Sequence, residues 1–147
     1  MEHILSLIGL AKKAGRVEVG EEPTGAAARA KKARIILLAG DAAPASVRRA
    51  ASFAETGNCP LVPLKADKDQ LGRCLGKTSV AMAAVTDIGF ADAVVKKLAA
   101  LEPEAYGELS RQLQRKAQRA QERRQEQARH EKNLRSGKKR GESHKKN

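Results

Sequence analysis

A chain of 147 residues, 41% of them hydrophobic, furnishes one modest core and at most an appendage beside it. No run approaches the roughly 20 apolar residues that cross a bilayer, and MEHILSLIGLAKKAG is too polar and too short for a signal peptide, so a cytoplasmic protein without a membrane partner is expected. The formal charge of +12 is uneven: residues 105–147 hold 14 Lys or Arg against 5 Asp or Glu, a net +9, and the preceding residues hold 15 against 12, a net +3.

In chain order, Ile4, Leu5, Leu7, Ile8, Leu10, Ala11 and Ala14 recur at helical spacing, and Lys12, Lys13 and Gly15 supply a cationic last turn and a stop. A short strand at Arg16 to Val19 follows. GEEP then opens a second helix with acids at its positive end, predicted to reach about Lys32. ARIILLAGD is a continuous apolar run of the length and type of a strand buried on both faces.

Pro44 starts a third helix with Val47, Ala50, Ala51 and Phe53 facing inward, ended by Gly57. PLVPL is a brief strand that Pro63 confines to an edge or an end. Asp67 and Gln70 form a capping box for a fourth helix, which buries Leu71, Cys74 and Leu75 and stops at Gly76. SVAMAAV is the fourth strand, and Asp87 caps a helix that buries Phe90, Ala91, Val94, Val95 and Leu98.

Helices alternating with strands predict an α/β fold, a three-layer α-β-α sandwich with a four-stranded sheet and about five helices, over residues 1–104. From residue 105 to 147 the composition turns to Gln, Arg, Lys and Glu, with a thin stripe of Leu109, Leu113, Ala117 and Ala120. A basic tail is expected there, helical to about Arg129 and then disordered, with Tyr106 outside the core.

The segment LGRCLGKTS looks like a nucleotide-binding phosphate loop, but only Arg73, Cys74 and Leu75 separate its glycines where four residues are required, and it follows a helix and precedes a strand. Cys59 and Cys74 lack the spacing of a metal site and read as reduced thiols; no cofactor is implied. His3 begins a helix, and His130 and His144 lie in the tail, none beside a nucleophile in sequence. Asp41 and Asp87 each end a strand, where a carboxylate pair could act, although capping explains Asp87 more simply. These readings favour a non-catalytic protein.

AGRVEVGEE, ARIILLAGDA, LGRCLGK and AAVTDIGFA, in this order of elements, resemble the kink-turn-binding ribosomal-protein superfamily of L7Ae/L30e type, and within it the small bacterial YlxQ-type proteins. The resemblance covers roughly residues 2–100 and implies a monomeric, non-catalytic protein that binds structured, kink-turn-like RNA, with the ribosome or other translation machinery as a partner. It implies that Gly20, Glu21 and Glu22 at the start of the second helix, together with Gly76, Lys77, Thr78 and Ser79, face the RNA. Archaeal members carry an Asn-Glu pair and a Lys at the helix start, where this chain reads Glu22, Pro23 and Ala26. The basic tail would add affinity for phosphates. With no Trp and few aromatics, the chain offers no platform for stacking single-stranded bases, which leaves shape and backbone as what it reads. The alternative is an adaptor that binds a protein of the transcription or translation machinery.

Overall fold

A computed structural model describes the backbone of residues 1–145 and the side chains of residues 1–135. The elements run α1 (Glu2–Lys13), β1 (Val17–Val19), α2 (Glu21–Arg29), β2 (Ile35–Leu38), α3 (Pro44–Gly57), β3 (Leu61–Pro63), α4 (Lys68–Cys74), β4 (Met82–Val85), α5 (Ile88–Leu101) and α6 (Pro103–Lys145). The sheet order is β1-β4-β2-β3, with β4 antiparallel to both β1 and β2 and β3 parallel to β2. β2 is thus interior and β3 lies at an edge with Pro63 as its last residue, as the apolar run and the proline predicted.

The two interior strands explain the three layers. Every residue of β2 and β4 is buried, and the period of two divides them between two cores. Ile35, Leu37, Ala83 and Val85 pack with α1, α4, α5 and the first turns of α6, whereas Ile36, Leu38, Met82 and Ala84 meet α2 and α3. The second core is lined by small residues, Ala27 of α2 and Ala50 and Ala54 of α3, with Phe53 at its margin.

Three helix details differ from expectation. α2 ends at Arg29 and not near Lys32, because Lys31 enters the left-handed region at φ 59° and the amides of Lys31 and Lys32 turn back to the carbonyls of Ala28 and Ala27 at 3.0 and 2.9 Å. That 6→1, 5→2 pattern closes a helix. α3 is closed in the same way by Asn58 at φ 50°, with Gly57 its last helical residue. Its inward face is Ala50, Phe53 and Ala54, while Val47 and Ala51 are exposed; an alanine-rich helix gives little size contrast from which to read its rotation.

The largest difference concerns the tail. α6 is a sixth helix that turns back along α5, and it buries Tyr106 and Leu113 in the larger core, with Leu109 packed against it. Tyr106 is therefore inside the core rather than outside it, its hydroxyl donating to the Pro63 carbonyl, and packed structure continues past residue 104. The predicted stripe is the docking face of this helix. α6 also continues beyond Arg129 to Lys145, through Gly137 and Gly141, in a segment rich in Lys, Arg and Glu with Glu131 four residues before Arg135. Lys146 and Asn147, within the stretch expected to be disordered, lie outside the described residues.

Candidate nucleic-acid interface

β1 and β2 end, and β4 begins, on the same side of the sheet. The strand register therefore delivers two segments to one place. Gly20 follows β1 directly, and its amide donates to the Met82 carbonyl at 3.0 Å. The segment Gly76 to Ser79 arrives from α4, and Ser79 is three residues, at most about 10 Å of chain, from Met82.

Gly20 adopts φ 100° and ψ 172°, a region closed to side-chain-bearing residues, so the requirement for glycine lies in the backbone rather than in space. As the residue before the first turn of α2 it makes no side-chain cap, and the amides of Glu21 and Glu22 have no partner within the helix. Pro23 has no amide to offer. The Thr24 side chain is fully buried and its hydroxyl oxygen is without a hydrogen-bond partner.

Two glycines build the loop. Gly72 lies so close to it that a Cβ would stand 2.8 Å from Thr78 and Ser79 backbone atoms, and its carbonyl accepts from the Lys77 amide at 2.8 Å. Gly76 makes the turn at φ 72°. The resemblance to a phosphate loop thus has a structural origin: one glycine admits the returning chain and the second reverses it. Val80 then anchors the loop, buried and with its amide donating to the Lys68 carbonyl at 3.0 Å, which leaves Gly76, Lys77, Thr78 and Ser79 exposed.

Asp67 and Gln70 close the capping box of α4, and Asp41 accepts from the Lys68 amide at 2.7 Å, tying the end of β2 to that helix. The Asp87 side chain accepts from the Phe90 amide at 2.9 Å. Because β2 and β4 are antiparallel, Asp41 and Asp87 fall at opposite ends of the sheet, about 13 Å or more apart for strands of this length, and cannot act as a carboxylate pair. Each is occupied with holding a helix start.

Arg49 was not legible as part of this region. From α3 it meets Glu21 at 2.6 Å, both partly exposed, placing a cation beside one of the acids at the start of α2. Only the packing of α2 on α3 creates this pair, 28 residues apart in sequence, so no local pattern signals it. Cys74, half-buried on α4, donates its thiol to the Leu71 carbonyl at 3.1 Å, and burial pushes its pKa up to about 11. It is an inert thiol at neutral pH.

Solved structures share this architecture. A protein of unknown function from Bacillus halodurans C is 26% identical, with a TM-score of 0.59 over 63% of this chain and 93% of that one. A Giardia lamblia 15.5kD RNA binding protein is 20% identical, with a TM-score of 0.54 over 66% of this chain and 85% of that one, a likeness of fold. No curated protein matches the sequence. Residues 2–95, which contain every element from α1 into α5 and both segments of the site, match the model of one family, and the chain belongs to it: the ribosomal protein L7Ae/L30e/S12e/Gadd45 family.

Proposed function

We propose that this protein is a non-catalytic binder of structured RNA, which it grips between the start of α2 and the Gly76–Ser79 loop. The observation that carries the reading is the convergence of those two segments at one end of the sheet in a chain of this family. The open amides of Glu21 and Glu22 suit phosphate or base-edge acceptors, and Gly20 keeps that approach free of a side chain. Lys77, Thr78 and Ser79 supply a cation and two hydroxyls from the exposed loop. The charge of Arg49 offsets that of Glu21, which would otherwise repel phosphates.

The RNA that fits is sharply bent and kink-turn-like, ribosomal or otherwise non-coding, read by shape and backbone by a monomer in the cytoplasm. The fold shared with an RNA-binding protein supports this reading, and the LGRCLGK and AGRVEVGEE blocks resemble those of YlxQ-type bacterial members. The packed body, now extended to include the docked turns of α6, selects the RNA, and the cations further along α6 strengthen the hold. Crosslinking in cells followed by sequencing of the bound RNA tests the proposal. Recurrent enrichment of one structured RNA, lost with Lys77→Ala, is expected. A complex with a partner protein that survives nuclease, without enriched RNA, would establish the adaptor function instead.

A further inference from the structure

A second cationic surface lies at the opposite end of the sheet, where β2 begins and β4 ends. There α6 passes the ends of α2 and α3 and leaves a cleft lined by Lys31, Arg34, Lys116, Arg119 and Arg123, with Cys59 in its wall and, among the described residues, no acidic side chain in its lining. Asp87 is near in sequence but turned onto its own helix at the Phe90 amide. Neither the residues at the start of α2 nor the Gly76–Ser79 loop contributes to this cleft.

Two features distinguish it from an accidental gathering of surface cations. The tail cations that line it, Lys116, Arg119 and Arg123, recur at positions i, i+3 and i+7 along one face of α6. They span about 10 Å of helix axis, the axial length of about three phosphate-to-phosphate steps of one strand. Lys31, moreover, occupies the left-handed position that closes α2, where glycine is the residue without strain. Its ammonium donates to the Thr56 carbonyl, bringing a cation over the negative end of α3 and to the cleft. A chain that holds a lysine there retains charge at the expense of backbone comfort.

We infer that this cleft is a second site for the phosphodiester backbone of an RNA helix, so that one protein molecule engages two RNA segments at opposite ends of its sheet. This goes beyond the site at α2 and does not require it. Backbone binding, not base reading, is what five cations without an aromatic partner provide.

The test uses the full chain and a blunt 16-base-pair RNA duplex with no bulge or bend, in anisotropy titrations across a KCl series. Replacing Lys116, Arg119 and Arg123 together by Gln should lower affinity by about tenfold or more and flatten the slope of log affinity against log salt by about two to three units. The control replaces Lys12, Lys96 and Lys97, exposed on α1 and α5 and outside both sites, and should change both far less. Lys31→Gly should weaken duplex binding while leaving the melting temperature unchanged or raised, a split that a purely structural lysine would not produce. In a Cys74→Ser background, the duplex should slow alkylation of Cys59. Equal losses from the two triple variants, or alkylation of Cys59 unaffected by saturating duplex, would overturn the cleft as a site. Neither result bears on the α2 site, which is read separately through the effect of Lys77→Ala on a bent RNA.

Discussion

Leu113 decides whether the first turns of α6 belong to the folded body. It is 1% exposed within the larger core, whereas Leu134, on the same helix, is 57% exposed. Leu113→Ala removes a fully buried side chain from a packed setting and should cost about 3 kcal/mol, within the range for such truncations. For a cooperative body of about 120 residues, the unfolding entropy is about 0.25 kcal/mol per kelvin, so the melting temperature should fall by about 12 °C. Leu134→Ala removes the same atoms from solvent and should stay within about 0.5 kcal/mol, or about 2 °C. Differential scanning calorimetry of both variants beside the parent measures the contrast. Two equal, small shifts would refute the docking of α6 and restore a body that ends near residue 104.

Lys77→Ala should weaken binding of the identified RNA several-fold at fixed salt with no change in melting temperature, since the side chain is exposed and its backbone makes the loop contact; an unchanged affinity would remove the loop from the interface. Gly20→Val forces a β-branched residue into a conformation reserved for glycine and should destabilise by about 1–3 kcal/mol, read in the same calorimeter. Deleting residues 126–147 removes eight Lys or Arg and three Glu; if about four of those cations meet phosphates, the salt slope should flatten by about three units while preference for the cognate RNA over a random one persists. Cys74, with its pKa raised to about 11 by burial, should alkylate about a hundredfold more slowly than a free cysteine at pH 8. The same shift means that unfolded chains ionise this thiol first, so stability should fall as pH rises from about 9 towards 11, absent in Cys74→Ser.

The elements most legible in the sequence were those whose information is local. The all-apolar IILL and MAAV runs marked the interior strands, Asp67 with Gln70 marked a helix start, and Gly76 marked a stop, because burial on both faces, a capping box and a left-handed turn each have a short signature. What escaped depends on packing between distant segments. Tyr106 sits among charged residues whose composition suggests solvent, yet it finds Pro63, 43 residues earlier. Arg49 acquires meaning only from Glu21 across two helices, and the role of Gly72 only from the return of Thr78 and Ser79 against it. The face of α3 was misplaced because Ala50, Ala51 and Ala54 are alike in kind and differ only in what lies opposite.

Tyr106 has one more property. The chain contains a single tyrosine and no tryptophan, so nearly all its ultraviolet emission arises from one phenol, placed where α6 meets the sheet edge and hydrogen-bonded to a backbone carbonyl. An unlabelled sample therefore carries an optical gauge at the seam between tail and body. Detachment of α6 would free that hydroxyl to water and change the intensity and lifetime of the emission, while events confined to the α2 site would leave it dark to observation. Stopped-flow mixing with RNA could then separate, without any engineered dye, motion of the basic helix from binding at the start of α2, which lies by the opposite edge strand of the sheet.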